Sequence, residues 1–132
     1  MKVNKTTARI LFVLYLAVLM YLCFGKFSGL PQAPRGLFGL KADKIVHFLM
    51  FLPFPVLAYL AFPRPAQKTW QSLLLSVCIL ASGAVLAAGT EFVQGFLPYR
   101  EADNSDFLAD FLALCLSASV ILAIDLNKNR HA

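Results

Sequence analysis

The run TWQSLLLSVCILASGAVLAAGT, from Thr69 to Thr90, contains no charged side chain. An α-helix rises ~1.5 Å per residue, so a helix over this run is long enough to cross the ~30 Å hydrocarbon core of a bilayer. Backbone N–H and C=O groups in hydrocarbon must pair within the segment, and a helix achieves this. The run therefore predicts a transmembrane helix.

Three further runs with almost no charge flank this one. They extend from Ile10 to Gly25, from Ile45 to Pro63 and from Phe107 to Ile124, and only Asp110 interrupts the last. We therefore predict an all-α fold, a membrane-embedded bundle of four transmembrane helices in a single domain over residues 1–132. The predicted spans are residues 8–26, 44–62, 69–92 and 106–125.

Proline and glycine mark the predicted breaks. Pro53 and Pro55 lie inside the second span and predict a kink, because proline lacks a backbone N–H and clashes with the preceding turn. Pro63 and Pro65 predict the turn before the third span. The segment from Lys26 to Lys44 is rich in glycine and proline and predicts a surface loop.

The composition excludes several classes of protein. Of the 132 residues, 59% are hydrophobic and 14% are charged, whereas soluble domains are ~45–50% apolar. A disordered chain, a disulfide scaffold and a nucleic-acid-binding domain are excluded, so the net charge of +5 requires a membrane explanation. Cys23, Cys78 and Cys115 lack the spacing of a metal motif, and we predict that they are buried small apolar residues.

Basic residues predict the orientation of the bundle. With both termini cytoplasmic, seven lysine and arginine residues lie inside and five outside, in agreement with the positive-inside rule. Lys2, Lys5 and Arg9 precede the first span without a small-x-small cleavage motif after it, so we expect a retained helix. Six of the seven acidic residues then lie on the outer side, and the ionisable chemistry is concentrated there.

Three polar residues open the second span: Asp43, Lys44 and His47. The i, i+4 spacing places Asp43 and His47 on one side of the first turn. Asp43 also suits a helix N-cap and Lys44 a snorkelling anchor. An imidazole within a span needs a partner, which makes His47 the stronger candidate for function.

On the third span, small residues lead to polar ones. Ala84, Ala87 and Ala88 are followed at helical spacing by Glu91 and Gln94. Small residues let helices approach closely, so we expect this stripe to face protein and Glu91 to point into the bundle. The structural alternative for Glu91 is a buried ion pair that only fixes helix packing.

The fourth span repeats this arrangement, with Asp106, Asp110, Ala113 and Ser117 on one face. Asp106 can cap the helix, whereas Asp110 lies one turn deeper. Converging carboxylates must share a proton, a cation or a guanidinium such as that of Arg100.

The polar positions form an ordered pattern: Asp43-Lys44-x-x-His47, Glu91-x-x-Gln94-x-x-x-Pro98-x-Arg100 and Asp103-x-x-Asp106. This pattern resembles the VanZ-like family of small bacterial membrane proteins, over roughly residues 43–113. The resemblance implies a multi-pass helical bundle of the bacterial cytoplasmic (inner) membrane. It also implies a link to the cell envelope, since the founding activity of the family is low-level resistance to the glycopeptide antibiotic teicoplanin.

The chain departs from the pattern of this family at three positions. Phe51 stands where relatives often carry tyrosine, so a hydroxyl donor is missing. Asp110 and Ala113 stand where relatives usually carry asparagine and glycine. The extra carboxylate of Asp110 changes what this position can bind.

Nine residues form the candidate ligand-binding or functional cluster: Asp43, Lys44, His47, Glu91, Gln94, Arg100, Asp103, Asp106 and Asp110. The first hypothesis is a protein that binds or modifies a lipid or cell-envelope component at its outer face. The alternative is a membrane-embedded, metal-dependent hydrolase or transferase acting on a lipid-linked substrate. A small transporter or an assembly partner is a third possibility.

The expected partners follow from the first hypothesis. They are membrane lipids and, under the resemblance, a lipid-linked envelope precursor or a glycopeptide. Nucleic acid is excluded, whereas a protein partner and catalytic activity stay open. The sequence alone assigns no catalytic residue, no metal ligand and no cofactor.

Overall fold

The computed structural model describes residues 3–25, 42–62, 68–98 and 104–131. These ranges are helical apart from short ends and turns, and they contain no strand. The helices are α1 (Lys5–Phe24), α2 (Ala42–Phe51), α3 (Phe54–Ala61), α4 (Thr69–Gln94) and α5 (Asn104–Arg130).

Four segments are long and apolar enough to cross a bilayer, and α2 and α3 together form one of them. Large apolar side chains cover their outer surfaces; Val13 is 63% exposed and Val85 73% exposed. Contiguous apolar surface of this extent suits lipid and not water. The predicted all-α bundle of four transmembrane helices is therefore confirmed.

The beginning of α1 and the end of α5 lie at the same end of the bundle. Arg9 Nε donates to the carbonyl of Ala61, and Asn129 Nδ2 donates to Ser72 Oγ at 2.9 Å. We call this end the terminal end and the opposite one the site end.

The second span is interrupted at Leu52 and Pro53, where the two prolines end α2 and start α3. A proline cannot donate to the carbonyl four residues before it, so the break releases backbone acceptors. The Tyr15 hydroxyl on α1 donates to the carbonyl of Met50, beside the break. This hydrogen bond links α1 to the end of α2 next to the interruption.

Small residues let α4 approach its neighbours closely. A Cβ atom on Gly83 would lie 2.6 Å from Leu114 Cδ2 and 3.1 Å from Phe54 Cδ1. Leu114 is fully buried, as are Ala87 and Ala113. The contact of α3, α4 and α5 therefore depends on the absence of a side chain at position 83.

Some boundaries and burial states differ from the sequence expectations. The helix α2 begins at Ala42, within the predicted loop, and α5 continues to Arg130, because Lys128 and Arg130 complement the negative end of its dipole. Residues 26–41 and 63–67 of the predicted loop and turn lie outside the described residues. The cysteine prediction holds for Cys23 but is wrong for the other two, since Cys78 is exposed and Cys115 half-buried.

Candidate functional site

Five ionisable side chains meet where α2, α4 and α5 come together at the site end. We call them the polar cluster: Lys44, His47, Glu91, Asp106 and Asp110. His47 is 4% exposed, Asp106 3% and Asp110 0%. Ionisable groups at such burial are costly in a membrane unless they are paired or serve a function.

His47 is held from one side by Asp110. Its Nδ1 atom lies 3.1 Å and 3.4 Å from the two carboxylate oxygens of Asp110. A carboxylate only accepts hydrogen bonds, so Nδ1 carries the proton and donates. The ring is therefore fixed with its Nε2 atom on the far side from Asp110.

The Nε2 atom of His47 faces a second carboxylate. It lies 3.7 Å from Oδ2 of Asp106, while the other oxygen of Asp106, Oδ1, lies 3.8 Å from Lys44 Nζ. Asp106 thus shares its two oxygens between an imidazole on one side and an ammonium on the other.

Glu91 brings α4 into the same cluster. One of its carboxylate oxygens, one ring nitrogen of His47 and one oxygen of Asp106 all lie within 4.8 Å of one another. The Oε1 atom of Glu91 is buried. Three helices therefore each contribute one atom that can ligate a metal ion or contact a polar ligand.

A groove opens between α4 and α5 beside Glu91. Its volume is about 690 Å³, and its lining is mostly apolar: Ala88, Glu91, Phe92, Gly95, Phe96, Asn104, Phe107 and Leu108. Ligand pockets are typically ~300–1,000 Å³ with few polar groups. The groove has the size and character of a site for an apolar chain next to a polar group.

The small-residue stripe of α4 is only partly placed as predicted. Ala87 and Gln94 are buried, and Gly83 and Thr90 share that face. The prediction that Ala88 faces protein is wrong, because Ala88 is exposed and lines the groove. On α5 the structure buries Asp106, Asp110, Ala113 and Ser117.

Gln94, a member of the predicted cluster, makes a hydrogen bond to α1 that the sequence did not predict. Its Nε2 atom donates at 2.8 Å to the carbonyl of Cys23, and the residue is 2% exposed. This hydrogen bond joins the ends of α1 and α4. Arg100, Asp103 and the side chain of Asp43, which complete the predicted set, lie outside the described residues.

The structure shows the surroundings of Phe51 and Asp110, two positions where the sequence departs from the pattern of the family it resembles. Phe51 is fully buried in the core, where a tyrosine hydroxyl would need a partner. Asp110 accepts from His47, so the carboxylate at this position is the group that orients the imidazole.

Polar side chains also meet at the terminal end, and sequence reasoning missed their pairing. The Tyr59 hydroxyl donates to Asp125, Asn129 to Ser72, and Arg9 to the backbone. A cavity of about 10 Å³ lies beside Tyr59 and Asp125, which is room for about one water molecule. The sequence offered one signal for these pairs, the presence of Tyr59 inside an apolar span.

Comparisons with known proteins place the chain in a family. Residues 12–125 match the VanZ/LLP1 family. Over 88 residues, or 67% of this chain, the sequence is 33% identical to a protein described as "Uncharacterized protein C11E3.10" of the fission yeast Schizosaccharomyces pombe. The chain spans about half the length of that curated relative, since the match covers 50% of it. No solved structure matches the chain significantly. Because the family match extends over most of its length, the chain belongs to the VanZ/LLP1 family.

Proposed function

We propose that this protein binds the polar headgroup of a membrane lipid, or of a lipid-linked envelope component, at the polar cluster. The observation that carries the proposal is the position of Glu91. Glu91 contributes a carboxylate oxygen to the cluster and is also one of the residues that line the groove between α4 and α5. A polar site and an apolar channel are therefore contiguous, as an amphiphilic ligand requires.

The lining of the groove suits the apolar part of such a ligand. Phe92, Phe96, Phe107 and Leu108 offer aromatic and aliphatic surface to an acyl or polyprenyl chain. Phe92 and Phe96 pack edge to face, with ring centroids 5.1 Å apart, on the wall formed by α4. Burial of each methylene contributes ~0.8 kcal/mol only when an acyl or polyprenyl chain leaves water. Such a chain is already in hydrocarbon in a bilayer, so the groove selects its ligand by shape.

The charges of the cluster suit the polar part. Lys44 supplies an ammonium for phosphate or carboxylate oxygens, and Glu91 and Asp106 can accept hydrogen bonds from hydroxyl or amino groups. Arg100, which the sequence predicts to belong to the same cluster, is expected to bind an anionic group of the ligand through two parallel hydrogen bonds of its guanidinium. A headgroup with both anionic oxygens and hydroxyl or amino donors matches this set.

A groove-filling variant tests the proposal. Ala88→Phe places a ring in the groove, whereas Ala81→Phe places the same ring on the same face of α4, two turns away and also exposed. We expect Ala88→Phe to retain about tenfold less lipid than the parent after purification in a mild detergent, which corresponds to ~1.4 kcal/mol. Mass spectrometry of extracted lipid, per mole of protein, measures the ratio.

Equal lipid retention by Ala88→Phe and the parent contradicts the proposal, and so does an equal loss in Ala81→Phe. A further arm addresses the cell envelope. If the bound lipid is an envelope precursor, expression of the parent in a bacterium changes its susceptibility to teicoplanin, and expression of Ala88→Phe does not.

A metal-dependent hydrolase or transferase acting on the same lipid is a second candidate function. The observation that favours it is the mutual distance of the His47, Glu91 and Asp106 ligand atoms, all within 4.8 Å. Turnover of a purified, bound lipid after addition of a divalent metal supports this function, and unchanged lipid under the same conditions contradicts it.

We further propose that the site end faces the exterior of a bacterial cytoplasmic membrane. The support is the excess of basic residues at the terminal end, seven against five. We expect a reporter that works only in the cytoplasm to be active when it is fused after Leu126. Activity of a reporter that works only outside the cytoplasm overturns this orientation.

A further inference from the structure

We propose that His47, Glu91 and Asp106 bind one divalent transition-metal ion, with Zn²⁺ as its best-fitting representative. The inference deepens the proposed function, on which it rests for its biological meaning, because the ion would be the group that meets the polar headgroup. The ion itself is bound by side chains of α2, α4 and α5 and does not require a lipid.

The distances bring the three ligand atoms near a metal geometry. Around a tetrahedral zinc ion with bonds of ~2.0–2.2 Å, ligand atoms lie ~3.3–3.6 Å apart. His47 Nε2 and Asp106 Oδ2 are 3.7 Å apart, and the Glu91 oxygen completes a set within 4.8 Å. Metal binding therefore requires the Glu91 oxygen to move closer to the other two ligand atoms.

The orientation of His47 is an independent observation that points to a ligand. Metal-binding histidines usually donate their other ring N–H to a carboxylate, which fixes the tautomer and directs the lone pair at the metal. Asp110 accepts from Nδ1 at 3.1 Å and is fully buried. When His47 is neutral, its Nε2 lone pair faces Oδ2 of Asp106 at 3.7 Å, and a cation between these two acceptors would relieve their repulsion.

The two oxygens of Asp106 have different neighbours, which also supports a metal site. Oδ1 lies 3.8 Å from Lys44 Nζ, so this oxygen is oriented by an ammonium. Oδ2 is the oxygen nearer the imidazole, and it is the atom that we assign as the metal ligand. The carboxylate is thus held in place by a charge that does not occupy the metal position.

The donor set selects the kind of metal. One imidazole nitrogen and two carboxylate oxygens suit Zn²⁺ or Mn²⁺, whereas Mg²⁺ and Ca²⁺ prefer oxygen ligands alone. Three protein ligands leave a coordination position open, as in catalytic rather than structural zinc sites. A water molecule or an anionic oxygen of a headgroup fits that position, beside the groove.

The same distances also fit an imidazolium ion between two carboxylates. Neutralisation by Arg100 in place of a metal is a related alternative. Both alternatives predict a protein that binds no metal at this site, so metal titration separates them from the proposal.

The experiment is a titration of the chelator-treated, detergent-purified full chain with Zn²⁺ alone, followed by calorimetry and by elemental analysis after dialysis. We expect one ion per chain. His47→Ala and Asp106→Asn are expected to weaken binding at least ~100-fold, and Asp110→Asn ~10–100-fold, as for groups that orient a metal-bound histidine. Size-exclusion profiles and helical signal without metal establish that each variant is folded.

His131→Ala is the matched control, because His131 is the other histidine of the chain and lies exposed at the terminal end. This variant is expected to bind Zn²⁺ like the parent. Less than stoichiometric binding by the parent, or parent-like binding by folded His47→Ala, overturns the metal site.

The groove variant separates this inference from the proposed function. Ala88→Phe is expected to lose lipid and keep Zn²⁺. Lipid retention without metal binding by the parent overturns only the metal site, whereas metal binding without specific lipid overturns only the lipid proposal.

Discussion

The two ends of the bundle both contain buried polar side chains, but they combine them differently. At the terminal end, donors meet acceptors one to one, as Tyr59 does with Asp125 and Asn129 with Ser72. The cavity there measures about 10 Å³. Among the residues described at the site end, three carboxylates lie around one imidazole and one lysine, beside a groove of about 690 Å³.

This contrast separates structural polarity from polarity that can serve a ligand. A matched donor and acceptor satisfy each other and tie two helices together. Several acceptors next to a groove can bind a ligand, either a cation or the hydrogen-bond donors of a headgroup. The ratio of hydrogen-bond donors to acceptors in a span therefore helps to distinguish a structural role from ligand binding.

The close contact at Gly83 packs α4 against α3 and α5. We therefore expect its disruption to change the free energy of unfolding more than the other substitutions do. In Gly83→Val the new side chain meets the buried Leu114 and the ring of Phe54. We expect a loss of ~1–3 kcal/mol in the free energy of unfolding, typical of overpacking. Thermal unfolding in detergent, followed by helical signal, measures this loss.

The matched control is Gly89→Val on the same helix, because a Cβ at Gly89 meets no atom within 4 Å. Its free energy of unfolding is expected to stay within ~0.5 kcal/mol of the parent. Equal destabilisation by the two variants would show that helix propensity, and not the close contact of α3, α4 and α5, controls the outcome.

A substitution within the polar cluster is expected to alter binding and spare stability. Asp106→Asn removes one of the gathered carboxylates while preserving the shape of the side chain. We expect lipid retention to fall about tenfold, or ~1.4 kcal/mol. The unfolding midpoint is expected to stay or rise, because Asp106→Asn reduces the repulsion among the Glu91, Asp106 and Asp110 carboxylates. Lipid analysis and thermal unfolding of the same preparation give both values.

Asp125→Asn is the corresponding change at the terminal end of the same helix. It is expected to keep the bound lipid. Should Asp125→Asn lose as much lipid as Asp106→Asn, the functional distinction between the two ends is wrong.

The smallest expected effect concerns the terminal end. Tyr59→Phe removes the hydrogen bond to Asp125 and should lower the free energy of unfolding by ~1 kcal/mol, with lipid retention unchanged. A double-mutant cycle with Asp125→Asn, measured by thermal unfolding, should give a coupling energy of ~0.5–1 kcal/mol. A coupling energy near zero would mean that this pair does not tie α3 to α5.

The four spans could be predicted from sequence because the requirement of the bilayer is local. Any run without charge that is long enough must pair its own backbone, whatever surrounds it. The face shared by Asp106 and Asp110 also followed from helical spacing alone. The break at Pro53 followed from the chemistry of a single residue type.

The partners of these side chains could not be predicted in the same way. Contact between His47 and Asp110 depends on how α2 crosses α5, which no local pattern encodes. Gln94 bonds a backbone carbonyl, and such acceptors have no signature in sequence. The exposure of Ala88 depends on the opening between α4 and α5.

The depth of the polar cluster has a consequence for how a ligand arrives. His47 lies five residues after the start of α2, and Asp110 six after the start of α5, so at ~1.5 Å per residue the site sits only ~7–9 Å below the helix ends. A lipid diffusing sideways in one leaflet already carries its headgroup near that level. Under the proposed function, the mole fraction of that lipid in the leaflet would govern occupancy, and a site that binds weakly in detergent could be fully occupied in the membrane.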